Sequence, residues 1–157
     1  MIRPEEKCHY VNFGKEFPFE KEKIISKLLL SGAWTLLQMR PYGCIANPMD
    51  SPKAIFVNGM ASSPFASKPS ISLKGKEEFF AAGLKVLNKL SDKTVLSISS
   101  NEESRILSHA EGVELHRFSG PHPSGNTSVH ISKVSPINKG DVIWTLAAVD
   151  VAIIGQL

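Results

Sequence analysis

Residues 54–118 read AIFVNGMASSPFASKPSISLKGKEEFFAAGLKVLNKLSDKTVLSISSNEESRILSHAEGVELHRF, and their alternation decides the fold. The stretch opens on Ala54-Ile55-Phe56-Val57, a short apolar run bounded by turn residues. Such a run marks a strand covered on both faces, as in the middle of a parallel sheet. Residues 58–69 hold a glycine, two prolines and three serines without periodicity, which reads as a loop at the strand's carboxyl end. From Lys76 to Leu90 the period is helical, with Phe79, Gly83, Val86, Leu87 and Leu90 expected on one face. Residues 94–99 are expected to form a second strand, 102–110 a short helix and 113–118 a third strand. Strand, helix, strand, helix, strand implies right-handed crossovers and the α/β class, a parallel sheet with helices on both faces.

Upstream, Ile24, Ile25, Leu28 and Leu29 recur at helical spacing after Glu20, and Gly32 falls just past the end. Residues 33–37 could add a turn of helix that Arg40-Pro41 stops, because the residue before proline avoids the α region. Residues 1–19 have no apolar period and read as a lead-in, so the domain is expected to occupy 20–157. Downstream, residues 127–134 are expected to form a turn or two of helix, 142–146 a strand and 147–157 a closing helix. The apolar ending Gly155-Gln156-Leu157 suggests a truncation.

Composition removes several classes. An apolar fraction of 42% with 21% charged residues is that of a folded globular domain, not of a disordered or collagen-like chain. The net charge of +3 comes from positive residues interleaved with acids, as in Glu20-Lys21-Glu22-Lys23. Nucleic acid is not expected as a partner, since a phosphate-binding face needs a one-sided basic patch. Cys8 and Cys44 show no CxxC spacing for zinc or an iron–sulfur cluster. The longest apolar stretch, 147–155, is broken by Asp150 and falls short of the ~20 residues that span a bilayer, so no transmembrane segment is expected.

Ligands of open parallel sheets bind beyond the carboxyl ends of the strands. Three loops qualify: residues 58–69, 99–103 and 119–126. The last carries SGPHPSG, and Gly120, Pro121, His122, Pro123 and Gly125 are the candidate quinone or interaction residues. Asn126, Thr127 and Ser128 could cap a following helix whose amides would face an anion or a quinone oxygen. The plainer reading is a rigid turn shaping a surface for a neighbouring domain. His116, His122 and His130 lack acids or cysteines at ligand spacing, so no metal is expected. Ser62-Ser63 has no evident general base in the sequence, and no catalytic residue is assigned. No GxGxxG, GxxxxGK[ST] or GxSxG motif occurs. Asp150 reads as a helix-face or interface acid, and Trp34, Trp144 and Phe79-Phe80 as core or interface anchors.

Ser31-Gly32-Ala33-Trp34-Thr35, Arg40-Pro41, Ala54-Ile55-Phe56-Val57, Gly120-Pro121-His122-Pro123-Ser124-Gly125, and the end from Val142-Ile143-Trp144 through Asp150-Val151 to Ile154-Gly155-Gln156-Leu157 form an ordered series. Together they resemble the A subunit of the bacterial sodium-translocating NADH:quinone (ubiquinone) reductases, from roughly Phe19 to Leu157. The resemblance implies a Rossmann-like central domain, similar to the flavin domain of the NADH-oxidising subunit of respiratory complex I. It also implies a peripheral location on the cytoplasmic side of the inner membrane, with the other subunits of the complex as partners and a link to ubiquinone. NAD, FMN or FAD and iron–sulfur centres belong to that parent complex. Where flavin-binding relatives carry a glycine-rich segment this chain has Ser31-Gly32-Ala33-Trp34, and Met60-Ala61-Ser62-Ser63-Pro64 replaces their acidic loop. A noncatalytic scaffold domain without bound cofactor is therefore expected. The alternative is a flavin- or nicotinamide-binding redox domain.

Overall fold

The first helix, α1 (Lys21–Ser31), turns Ile24 and Leu28 into the core and keeps Ile25 half-buried. Leu29, expected on the same face, is instead 48% exposed. In this computed structural model, which describes residues 20–157, the helix ends at Gly32, whose φ of 78° is a left-handed value open to glycine. The lead-in, residues 1–19, lies outside the described residues. A 3-10 turn, Ala33–Leu36, then swings Trp34 inward. Its indole meets Trp144 edge-on at 5.3 Å and donates from Nε1 to the Ala46 carbonyl at 2.7 Å. Trp144 is fully buried, and among the described residues its Nε1 has no partner. That orphan donor costs about 1–3 kcal/mol, less than the roughly 4–6 kcal/mol from burying 150–250 Å² of ring, so the ring stays inside.

The helical turn expected over 33–37 is this 3-10 turn, and it ends ahead of Arg40-Pro41. Residues 38–40, to which the sequence assigns no element, form β1 (Gln38–Arg40), which folds back on β2 (Cys44–Ile45). Strands of three and two residues are too short to carry a period, which hides them in the sequence. The remaining strands are β3 (Ala54–Gly59), β4 (Thr94–Ser99), β5 (Glu114–Phe118) and β6 (Ile143–Ala147). The sheet order is β2-β1-β6-β3-β4-β5. Four neighbours, β6-β3-β4-β5, run parallel, whereas β1 is antiparallel to β6 and β2 to β1. The α/β class stands, and the expectation of a purely parallel sheet is corrected to a mixed one.

Alternate residues divide the core between the two sheet faces. Ile55, Val57, Leu96, Ile98, Trp144 and Leu146 pack under α1, α3 (Glu77–Leu90), α4 (Arg105–Ser108) and α6 (Ala148–Gln156). Ala54, Phe56, Val95 and Ile143 face the other way, against Ile131 of α5 (Thr127–Val134). The buried aromatic of α3 is Phe80, and Phe79 is 40% exposed, which corrects the expected face. α4 is also shorter than expected, since Glu102 Oε1 accepts the Ser104 N–H at 2.9 Å and holds a turn ahead of it. A short helix, α2 (Pro69–Ser72), leads toward α3.

Helices α3 and α6 touch through glycine. A methyl at Gly83 would overlap the Val151 carbonyl, and one at Gly155 the Phe79 carbonyl. Only a bare backbone lets α6 lie this close to α3.

Candidate functional site

Two of the loops singled out by sequence meet over the carboxyl end of β3. Asn58, near the end of that strand, donates from Nδ2 to the Gly125 carbonyl at 2.9 Å and to Thr127 Oγ1 at 3.1 Å. Its Oδ1 accepts the Met60 N–H at 3.0 Å. Ser62 Oγ accepts the Gly125 N–H at 2.8 Å and lies 3.2 Å from His122 Nδ1. Ser63 Oγ stands 3.5 Å from the same nitrogen. A Cβ at Gly125 would sit 2.6 Å from Ser62 Oγ, so this buried glycine is required by close approach.

The SGPHPSG segment also binds itself. Ser124 Oγ donates to the Gly120 carbonyl at 2.7 Å, the Ser124 N–H to Pro121 O at 2.9 Å, and the Asn126 N–H to Pro123 O at 2.9 Å. His130 of α5 lies beneath with no exposure, its ring 4.2 Å from that of Phe118. The Ser124 carbonyl can only accept, so His130 Nε2, at 2.8 Å, carries the proton. Burial pushes the His130 pKa below its ordinary 6.5, against the opposing pull of the Ser124 carbonyl.

Gly120, Pro121, His122, Pro123 and Gly125 thus form one rigid loop tied to the β3 exit. His122 is exposed, held at Nδ1 and without a partner at Nε2 among the described residues. Ser62-Ser63, which lacks a base nearby in the sequence, has His122 within reach. A separation of 60 residues conceals that pairing. The Ser62 oxygen is already the acceptor for Gly125, and among the described residues no third group orients the imidazole. The contact is a latch more than an activated nucleophile. The expected cap is not made, because the Asn126 side chain bonds no helix amide. Asn58 steadies the start of α5 through Thr127 instead.

At the next strand end, Asp150 occupies the first turn of α6, and its Oδ2 accepts the Ala147 N–H at 3.1 Å. Burial raises its carboxyl above the ordinary 3.8, opposed by that hydrogen bond. A hollow of about 350 Å³ lies beyond β3 and β4, where Lys68 and Ser70 face Ser99, Asn101, Glu102 and Glu103. The three histidines do not converge. His116 Nε2 pairs with Glu114 at 2.7 Å, and Glu114 is held below its ordinary pKa first by Lys93 and then by His116. Among the described residues no three His, Cys, Asp or Glu side chains stand close enough to share a metal. No helix among them is long and apolar enough to cross a membrane.

A model of the "NqrA second alpha/beta domain" family matches residues 19–157. The chain belongs to that family. Members of the NqrA group resemble it along most of its length. The A subunit of the Na(+)-translocating NADH-quinone reductase of Vibrio vulnificus is 37% identical over 138 residues, covering 88% of this chain and 31% of the relative. Its counterpart in Neisseria gonorrhoeae is 35% identical over 136 residues, 87% of this chain and 30% of the relative. That of Neisseria meningitidis reaches 34% over 152 residues, 94% and 34% respectively. The chain therefore spans about a third of the length of these NqrA relatives.

Proposed function

We propose that this NqrA-type domain acts as an interaction scaffold within the NqrA component of a sodium-translocating NADH:quinone reductase. It would sit peripherally on the cytoplasmic side, on the quinone-reducing side of a complex that couples NADH oxidation to sodium export. Its partners would be the other subunits, with catalysis and redox centres elsewhere in the complex. One observation carries the scaffold reading. The loops that would have to part around a nucleotide-sized ligand beyond β3 are joined to each other through Asn58 and Ser62.

Flavin or dinucleotide does not suit these residues. The amino end of α6, where a phosphate would gain from helix amides, is taken by the domain's own Asp150 carboxylate. Glu102 and Glu103 face the hollow beyond β3 and β4. Trp34, in the segment that replaces a glycine-rich loop, is buried against Trp144. Titration with FMN and NADH, read by visible absorption and calorimetry, tests this. The expected result is no saturable binding; stoichiometric flavin or micromolar NADH affinity would favour the redox alternative.

A quinone contact at the loop is a second reading, supported by the outward Nε2 of His122. His122→Ala in the whole reductase should then weaken quinone binding while assembly persists. Unchanged quinone kinetics would reject that contact.

A further inference from the structure

We propose that the hollow at the carboxyl ends of β3 and β6 binds a small dipolar carboxylate of the amino-acid or hydroxy-acid class, its carboxylate on Arg40 and its donor end toward Asp150. The hollow holds about 230 Å³ and is lined by Gln38, Arg40, Asn58, Thr127, Thr145 and Asp150 among others. That is below the roughly 300–1,000 Å³ of pockets for drug-sized ligands, so the occupant is small.

Arg40 is the last residue of β1, fixed opposite Ile143 of β6. Its Nε is shut off from solvent with no hydrogen-bond partner, and no ion pair reaches its guanidinium among the described residues. Arg40 as a whole is only part-buried, and a guanidinium without a partner matches a carboxylate through two parallel hydrogen bonds. Among the lining residues the only other ionisable group is Asp150, which makes no ion pair with Arg40.

These two charges select the ligand. A plain anion would suit Arg40 but meet Asp150, and a plain cation would do the reverse. A molecule with a carboxylate at one end and an ammonium or hydroxyl at the other complements both. Thr127 Oγ1 accepts from Asn58 and retains its own proton to donate, whereas the Thr145 hydroxyl is spent on the Gln38 carbonyl at 3.4 Å. Thr127 and the Gln38 amide are therefore the neutral donors available in the hollow.

The test follows the Arg40 Nε–Hε signal of the whole chain by ¹H–¹⁵N NMR while glycine, glycolate or acetate is added. Glycine and glycolate are expected to shift it saturably with dissociation constants of about 10 mM or tighter, and acetate at least about tenfold more weakly. Arg40→Lys keeps the charge but loses the fork, so the saturable response, followed at the Thr127 amide, should fall about tenfold or more. Asp150→Asn retains an acceptor for Ala147 and should reduce glycine to the level of acetate. A shift that stays linear to about 100 mM, far above that range, would overturn the proposal. Equal responses to acetate and glycine, or undiminished binding in Arg40→Lys, would also overturn it.

Discussion

Replacing Asn58 with Ala removes three hydrogen bonds from one half-buried side chain: to Gly125 O, to Thr127 Oγ1 and from the Met60 N–H. At about 1 kcal/mol each the loss is about 3 kcal/mol, of which the Ser62 bond to Gly125 recovers nothing because it is already made. The loss falls on the tie between the two loops, so local opening of residues 120–127 should become about 2–3 kcal/mol easier. That is roughly a 30- to 150-fold faster amide exchange at Gly125 and Asn126, at 1.4 kcal/mol per factor of ten. Hydrogen–deuterium exchange read at single amides measures it. Asn58→Asp keeps the acceptor for Met60 but sets a carboxylate oxygen against the Gly125 carbonyl, so it should open the loop at least as much. Exchange at Gly125 and Asn126 that changes less than about threefold in Asn58→Ala, under conditions where the loop recloses faster than it exchanges, would show that the loop is not held from β3.

Gly83→Ala and Gly155→Ala should each destabilise by about 2 kcal/mol or more, lowering the melting temperature by about 5–8 °C. The added methyl meets a backbone carbonyl, which outweighs the ~1 kcal/mol that alanine gains in a helix; stabilisation in thermal unfolding would refute the close α3–α6 contact. Because His130 has its folded pKa below 6.5, the unfolded chain takes up the proton first as pH falls. Stability contributed above 6.5 should thus be lost as pH drops from there toward the folded value. Asp150, raised above 3.8, works oppositely, adding stability as pH falls from its folded value toward 3.8. The readout is therefore the difference between wild type and His130→Gln in urea unfolding, and a difference that does not change with pH would contradict the assignment.

What sequence reveals here depends on how far apart the partners lie. Residues 94–99 and 127–134 carry their own periodicity and turn signals, and the structure places β4 and α5 on those residues. β1 and β2 carry none, since they are three and two residues long and β1 is fixed in the sheet by β6 more than a hundred residues away. Phe79 and Phe80 are adjacent, and only the position of the sheet decides which is buried. The 119–126 loop is visible as a Gly/Pro cluster, but its fastening is not. Asn58 and Ser62 are ordinary loop residues in sequence and become a clamp only when β3 and β5 lie in one sheet. In sequence Arg40 is only the residue before a proline. Its lack of a partner emerges once β1 pairs with β6.

Membership of a working reductase is tested most directly by purifying the tagged protein from its own cells under mild detergent and assaying the eluate. Co-elution with the other subunits and sodium-stimulated NADH:quinone reduction in the same fraction are expected. Elution alone, without that activity, would contradict it.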